Sequence, residues 1–297
     1  MTGAGSATVA FALEDDFADG PGAESDWIQP GTDITVGNLS VENALQRVRN
    51  PDDPTPCGSR EGNFEGAASV QFTLTGDEWH DLVFADDGDA LPNEPMAAPS
   101  SVWYFGADLL DGDEARTPTG AIVGDAQVSY QQGGEVTVDL TILYADEPDD
   151  VDAPTEIQTP DCDAVYTWHG TDLDIDDVGQ SLLQTATLSL SNLARFRRGQ
   201  GRHPHDAVVG AIEPSFSTDA TFTERDQLEL AYGGTTPSET IDKADGTLTF
   251  ENGNGDTIEY SLKGLQPTSY DWSNLVNPDE DLSEPVDYHV ADVEVVE

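Results

Sequence analysis

An alternating pattern that occurs twice, half a chain apart, restricts the fold more than any other part of this sequence. Residues 185–191 read TATLSLS, in which alanine and leucine alternate with threonine and serine. A period of two places the apolar side chains on one face of a β-strand. A basic crossing that contains glycine and proline follows at 195–204, and a second alternating run returns through 212–222. The stretch therefore predicts two strands joined by a long arm.

The same stretch has a counterpart in the first half of the chain. Residues 39–43 (LSVEN) align with 188–192 (LSLSN) at an offset of 149. Residues 62–65 (GNFE) align with 210–213 (GAIE) at an offset of 148. Both offsets equal half of the 297-residue chain to within one residue. Matches that recur in order at one offset favour two tandem copies of one domain.

The join between the copies is predicted in an acidic segment. Residues 146–161 (DEPDDVDAPTEIQTPD) contain proline and lack any periodicity, which is typical of a linker. We place the boundary near residue 150, which gives a first domain at 1–150 and a second at 151–297. Each copy is predicted to be mainly β, an antiparallel β-sandwich or partly closed barrel with one short flanking helix and a long arm hairpin.

Local patterns predict the remaining elements. Thr75 with Glu78, and Thr223 with Asp226, have the spacing of capping boxes, so each is expected to begin a helix. Glycines at 88 and at 233–234 are expected to end these helices. The predicted strands are 8–13, a strand pair within 27–41, 67–74, 102–105, 121–130 and 136–144 in the first copy, and 247–250, 257–262 and 286–296 in the second, with hairpin turns at 132–134 and 252–255.

The composition is strongly acidic. The chain has 59 aspartates and glutamates against 11 lysines and arginines, a formal charge of −48. Self-repulsion of this size would strain a compact fold at modest salt, whereas molar salt shortens the screening length to about 3 Å. We therefore expect a protein adapted to a hypersaline medium. A nucleic-acid mimic or a cation buffer is the alternative, which the even spread of the acidic residues along the chain disfavours.

The sequence contains no recognisable catalytic constellation, phosphate-binding loop or nucleophile motif, so no enzyme, cofactor or metal centre is predicted. His203 and His205 flank Pro204 without a third ligand at a recognisable spacing, and are interpreted as a solvent-exposed arm tip. The aspartates at 172, 174, 176 and 177 lack the glycine and the final glutamate of a calcium loop.

Two further observations concern location. Cys57 and Cys162 occupy non-equivalent places in the two copies, and the sequence does not decide whether they are free thiols or form a disulfide. No apolar run is long enough to span a bilayer, and the N-terminus lacks the pattern of a secretion signal. We therefore expect synthesis and folding in the cytoplasm and no membrane partner.

Arginines cluster in both arms, which together hold seven of the 11 basic residues. Binding of nucleic acid is one interpretation, but the charge of −48 would repel a phosphate backbone. Random placement is the second, and clustering at equivalent places counts against it. The preferred hypothesis is that each arm contacts a neighbouring acidic subunit or ring through arginine–carboxylate pairs. The candidate contact residues are Arg47, Arg49, Arg60, Arg195, Arg197, Arg198 and Arg202.

At the level of whole segments the chain resembles a known family. The segments at 11–51 (FALEDDFADG to NALQRVRNP) and 62–74 (GNFEGAASVQFTL), echoed at 185–199 and 210–223, resemble tail tube proteins of long-tailed, siphovirus-type viruses. That resemblance implies a β-sandwich or barrel with a flanking helix and an arm. Six domains would close a ring around a β-lined channel, rings would stack, and DNA would pass through the bore. Two domains per chain resemble the duplicated variants, whose rings contain three chains.

The resemblance also implies partners and a location. The chain would assemble with itself as stacked trimeric, pseudo-hexameric rings. It would also bind other tail proteins, namely the terminator, baseplate and tape measure. Viral DNA would pass through a lumen of acidic and small polar residues without sequence-specific binding. The protein would be made in the host cytoplasm and end in the virion tail, and the acidic excess indicates a virus of a halophilic archaeon. Two alternatives remain: a secreted or surface β-sandwich binding module, or another ring component such as a terminator or baseplate protein.

Overall fold

The computed structural model describes residues 7–22, 26–85, 89–92, 97–109, 112–149, 151, 153–176, 178–180, 182–277 and 281–296. The described protein is mainly β, as the sequence predicts, and its named strand pairs are all antiparallel. It contains one α-helix, α1 (Asp226–Tyr232), and one 3-10 helix at His80–Leu82. The strands are β1 (Ala7–Leu13), β2 (Thr32–Glu42), β3 (Gln46–Arg49), β4 (Pro56–Arg60), β5 (Glu65–Thr73), β6 (Ser101–Leu109), β7 (Gly112–Arg116), β8 (Ile122–Gln131), β9 (Thr137–Tyr144), β10 (Tyr166–Ile175), β11 (Val178–Gly179), β12 (Leu183–Ser191), β13 (Ala194–Arg198), β14 (Pro204–Val209), β15 (Glu213–Thr221), β16 (Ala244–Asn252), β17 (Thr257–Tyr270), β18 (Ser283–His289) and β19 (Asp292–Val296).

Twelve of these strands form one sheet. Its order is β11-β10-β16-β17-β18-β15-β12-β8-β9-β5-β2, and β19 pairs with the first part of β17. The remaining described strands form a three-stranded sheet, β1-β6-β7, and two hairpins that we call the first arm (β3–β4) and the second arm (β13–β14).

The twelve-stranded sheet continues across the middle of the chain. Strand β8 pairs with β12, so that Leu188 lies opposite Val128 and Leu190 opposite Ala126. Strands before this junction come from the N-terminal half in the order β2-β5-β9-β8, and those after it come from the C-terminal half in the order β12-β15-β18-β17. The predicted boundary, residue 150, lies outside the described residues.

Alternation explains how the sheet acquires one apolar and one polar face. In β12 the side chains of Ala186, Leu188 and Leu190 are buried, while the threonines and serines between them are at least partly exposed. The buried face joins a single apolar cluster with residues of β1, β6 and the 3-10 helix, including Phe11, Trp103 and Trp79. The other face of these strands is left to polar residues.

The ends of the helices differ from the prediction. Neither Thr75 nor Thr223 caps a helix, since neither helix has a side-chain hydrogen bond at its N-cap. Thr75 lies too early: the chain stays extended through Leu74, whose N–H donates to the Val136 carbonyl, and it turns only at 77–79. The first helix is therefore a single 3-10 turn. The second ends as predicted, at a left-handed Gly233, whereas Gly88 lies outside the described residues.

Two strand predictions were also wrong in detail, and one strand was missed. The segment 27–41 is not a strand pair but an isolated bridge at Ile28 followed by the single strand β2. The segment 286–296 is interrupted and forms the end of β18 and the whole of β19. Strand β10 was not predicted; it carries Asp172 and Asp174 as paired strand residues, and Asp177 lies outside the described residues.

Candidate assembly surfaces

The second arm reaches back onto the N-terminal half of its own chain. Arg198 donates from Nη1 to the Phe64 carbonyl at 3.0 Å, and its Nη2 lies 3.7 Å from a Glu65 carboxylate oxygen. Arg202 donates to the side-chain oxygen of Asn43, and the Phe64 N–H donates to the Arg202 carbonyl at 3.0 Å. Two of the predicted arginines therefore anchor the arm tip to the first half.

Aromatic and histidine contacts complete this anchor. The His203 ring stacks on Phe64 with centroids 5.1 Å apart, and its Nδ1 lies 3.0 Å from the Ala145 carbonyl and 3.5 Å from an Asp146 carboxylate oxygen. The guanidinium carbon of Arg202 also lies over the Phe64 ring, 5.8 Å from its centroid. His203 and His205 are both exposed, as predicted for the arm tip, although one face of the His203 ring is stacked on Phe64.

The base of the second arm is held differently. Phe196 meets Phe17 edge to face at 6.1 Å, and Ala207 packs in a small apolar cluster with Ile122 and Ala98. Arg197 pairs with Asp206 of its own arm, donating from Nε at 2.8 Å. Arg195 and Arg197 also line a groove that includes acidic residues 14–16 of the first half.

The first arm has no such support from its own chain. Its two strands are almost entirely exposed. Among the described residues, no salt bridge or side-chain hydrogen bond is formed by its arginines, Arg47, Arg49 and Arg60. The second arm, which carries four of the predicted arginines, therefore packs against its own chain, whereas the first arm, which carries the other three, projects into solvent.

The two arms have the same pairing pattern. Arg49 pairs with Pro56 after a bulge in the first arm, and Arg198 pairs with Pro204 after a bulge in the second. The strands that lead into them also correspond, since Leu39 lies opposite Ala68 in β2–β5 and Leu188 lies opposite Phe216 in β12–β15. These pairs are related by the offsets of 149 and 148 seen in the sequence.

Two strand edges carry exposed apolar side chains. Among the described strands β2 pairs with β5 alone, and Val36, Val41 and the following Leu45 are exposed beside its open edge. At the other place, the end of β17 and the residues after it expose Trp272, Leu275 and Val276. An open edge with apolar side chains is a template for pairing with another chain.

The polar face of seven strands of the twelve-stranded sheet carries no lysine or arginine, whereas β17 of the same sheet carries Lys263. Strands β2, β5, β8, β9, β12, β15 and β18, all within the described part of the chain, contain neither lysine nor arginine. Serine, threonine and glutamine dominate this face, with scattered carboxylates. Gln71 donates to Asp139 at 3.2 Å and Gln127 donates to Ser129 at 2.8 Å. Its outward side chains include Ser69, Gln71, Asp125, Gln127, Ser129, Asp139, Thr141, Thr185, Thr187, Ser189, Ser215, Ser217 and Asp287.

Arg116, which the sequence analysis does not single out, forms a cluster of hydrogen bonds. Arg116, outside both arms, donates from Nε and Nη2 to the two carboxylate oxygens of Glu147 at 2.6 and 2.5 Å. It also donates to the Tyr144 hydroxyl at 2.9 Å and to the Leu39 carbonyl at 2.8 Å. The Glu147 carboxylate is the main cause of the raised pKa of Arg116. The cluster ties β2 to the end of β9, and no sequence pattern marks it.

Cys57 and Cys162 are free and exposed, which answers the question the sequence left open. No helix among the described residues is both long enough and apolar enough to cross a bilayer.

The surfaces described so far, open strand edges, an exposed arm and a cation-free sheet face, are those of an assembling protein. The family model for phage tail tube protein matches residues 5–289. The chain belongs to that family. None of the curated proteins matches it. As a tail tube protein it is a structural component of the virion tail, and it assembles with itself and with other tail proteins.

Proposed function

We propose that this protein builds a hollow tail tube from stacked rings, each made of three two-domain chains in pseudo-sixfold arrangement, and that viral DNA passes through the bore. The observation that carries the proposal is the β8–β12 junction. It joins the two halves of one chain edge to edge, and the same two kinds of edge are open at β2 and at the end of β17.

The proposal requires that the two halves be copies of one domain, divided near residue 150. Their strand orders, β2-β5-β9-β8 and β12-β15-β18-β17, support this. So do their irregularities: β8 has a bulge between Val123 and Asp125 where it pairs with β9, and β17 has one between Pro267 and Ser269 where it pairs with β18. Bulges at matching places are unexpected in unrelated domains.

Equivalent residues at the junction and at the open edges differ in burial as the proposal requires. Leu188 and Val128, which face each other across the junction, are 1% and 2% exposed. Their equivalents are Leu39, which is half-buried, and Trp272, which is 45% exposed. We infer that β2 of one chain pairs with the segment around Trp272 of the next, in the way that β12 pairs with β8. A head-to-tail contact of this kind generates a ring when its rotation closes.

The polar face of the sheet is our candidate for the lumen. A face with hydroxyls, amides and carboxylates but no cation gives phosphate groups nothing to bind, because binding to nucleic acid is dominated by lysine and arginine contacts. DNA can therefore slide along it. The charge of −48 supports a virus whose particles assemble in strong salt, and hence a halophilic host. We further propose that the virus is of the siphovirus type and that the protein is made in the host cytoplasm.

The test is electron microscopy of the purified protein in molar KCl, with Trp272→Asp as the variant. A charge at the proposed edge should prevent ring closure while leaving circular dichroism and cooperative unfolding unchanged, because Trp272 lies outside the apolar cluster. Val296→Asp is the matched control, since Val296 is equally exposed on β19.

Hollow tubes from wild type and from the control, with dispersed chains from Trp272→Asp, would support the proposal. Tubes from Trp272→Asp would refute the edge pairing. Single rings that never stack would instead indicate a terminator or baseplate ring, and image classes with a symmetry other than three chains per ring would refute the stoichiometry.

A further inference from the structure

The second arm covers a defined surface of the N-terminal half, which we call the first seat. The first seat consists of Asn43, Phe64, Glu65, Ala145 and Asp146, and each contacts the arm between Arg198 and His203. In the folded chain Phe64 is 8% exposed and Ala145 is 1% exposed.

The C-terminal half contains an equivalent surface, which we call the second seat. The strand pairings that relate the two halves assign to it Asn192, Ile212, Glu213, Ala291 and Asp292. The amide, both carboxylates and the alanine are retained, and phenylalanine is replaced by isoleucine.

The second seat is uncovered in the single chain. Ala291 is exposed and Ile212 is half-exposed, although their equivalents in the first seat are buried. Ile212, Ala291 and Asp292 line an open groove of about 460 Å³, together with Gly210 and Pro214. A buried surface in one half and an open groove in the other indicate that the second seat lacks its occupant.

We propose that the first arm of an adjacent copy occupies the second seat. The inference rests on the proposed ring. Within one chain, the pairing of β8 with β12 brings the second arm to the first seat. The same kind of pairing between chains would bring each first arm to the second seat of the adjacent copy. Arg49 has the strand position of Arg198. It would therefore donate to the Ile212 carbonyl and pair with the Glu213 carboxylate of the adjacent copy.

The differences between the arms match the differences between the seats. In the first seat an aromatic ring, Phe64, meets the cation of Arg202 and the ring of His203. In the second seat the aliphatic Ile212 would meet Pro54 and Thr55, which occupy the corresponding positions of the first arm. An aromatic ring attracts a cation, and an aliphatic side chain packs well against small apolar groups, so each seat matches its own arm.

The tip of the first arm has a defined shape before it binds. The Asp53 carboxylate accepts hydrogen bonds from the Thr55 N–H at 2.9 Å and from the Thr55 hydroxyl at 2.6 Å. This local turn fixes residues 53–55 and reduces the ordering cost of binding.

A cross-link tests the contact. In a Cys57→Ser, Cys162→Ser background, Thr55→Cys with Ala291→Cys should form an intermolecular disulfide in assembled rings. A covalent ladder on non-reducing gels should stop at the trimer, because the proposed ring contains three chains. His203→Cys with Ala145→Cys is the control for reactivity, since the equivalent contact lies within one chain and should give only a cross-linked monomer.

Charge reversal gives a second measurement. Arg49→Glu should reduce the yield of tubes at least about tenfold, and Glu213→Arg in the same chain should restore it. Arg60→Glu, which makes the same charge change elsewhere on the arm, should have a smaller effect.

The outcomes separate the two proposals. If wild type forms no rings, the proposed function fails. If it forms rings while the Thr55/Ala291 pair does not cross-link and Arg49→Glu assembles normally, the ring stands and the seat assignment is overturned. A ladder that continues beyond the trimer would place the first arm on a neighbouring ring and would overturn the assignment within one ring.

Discussion

His80 is a buried histidine that links the two halves of the chain. It lies in the 3-10 turn, and its Nε2 is 2.8 Å from the hydroxyl of Tyr260 in β17. Trp79, Phe84 and Tyr260 surround the ring. Burial lowers the pKa of His80 to about 4 from 6.5, against the opposing charge of Asp77. The folded state therefore holds the neutral imidazole, and the unfolded state binds more protons between these two values.

We predict that His80 makes the protein less stable as the pH falls. Since the unfolded histidine titrates near 6.5 and the folded one near 4, the loss begins below about pH 7 and continues until about pH 4. Between about pH 7.5 and about pH 5 it should amount to about 2 kcal/mol. Guanidinium unfolding of wild type and His80→Gln at both pH values measures it, because the titration of other groups cancels in the difference. An unchanged stability difference between the two proteins would contradict the prediction.

Arginine placement shows what the sequence can and cannot provide at this scale. Clustering in equivalent places singled out Arg198 and Arg202 as contacts to a neighbouring subunit or ring. Within the single chain they bind the N-terminal half instead, and a contact with another chain stays a prediction. Arg116 could not be found in this way. Its partners Glu147, Tyr144 and the Leu39 carbonyl are far apart in sequence and are brought together only by the pairing of β2, β5 and β9.

At the scale of the elements, alternation predicted most strands of the twelve-stranded sheet because most of them have one buried face. Elements with weaker signals were missed. Strand β10 reads YTWHGTDLDI, in which polar residues interrupt the alternation and a bulge shifts the pairing after Tyr166. The first helix was predicted to be longer than it is, because Trp79, Leu82 and Val83 have helical spacing. Their burial follows instead from a single turn packed into the apolar cluster.

The junction strand and the open-edge strand allow a matched prediction. Leu188 is fully buried between β8 and β15, and its equivalent Leu39 is half-buried in the edge strand β2. Leu188→Ala should cost the unassembled chain about 3 kcal/mol, whereas Leu39→Ala should cost less than about 1 kcal/mol.

Assembly should show the reverse sensitivity for Leu39. In the ring its side chain would be covered by an adjacent copy, so Leu39→Ala should raise the protein concentration needed to form tubes. Denaturant unfolding of dispersed chains and sedimentation of tubes measure the two effects. Equal destabilisation of the dispersed chain by both substitutions would show that β2 is already covered in the single chain.

At the scale of the whole molecule, the twelve-stranded sheet depends on pairing that the sequence does not encode locally. The repeat predicted two similar halves, but it carried no sign that β8 and β12 would join them, because the residues at 126–131 and 185–190 pair across the intervening segment. The alternation of β8 and β12 fixes which face is buried, and it leaves the choice of neighbouring strand to tertiary structure.

The charge of the whole molecule leads to the last prediction. With a charge of −48, the chains of a ring and of adjacent rings repel one another unless salt screens them. The screening length rises from about 3 Å in molar salt to about 10 Å at about 0.1 M. Tubes should therefore dissociate on dialysis to low salt, as measured by sedimentation and negative-stain microscopy.

A neutralised variant distinguishes this screening from the general effect of salt on apolar contacts. Glu224, Glu239 and Asp242 are exposed and lie outside the proposed edges and seats. Replacing them with glutamine and asparagine removes three negative charges without changing the apolar surface. If repulsion sets the requirement for salt, the variant should keep its tubes at a lower salt concentration than wild type. If apolar contacts set it, the two midpoints should coincide, and the high acidity would then need an explanation other than adaptation to salt.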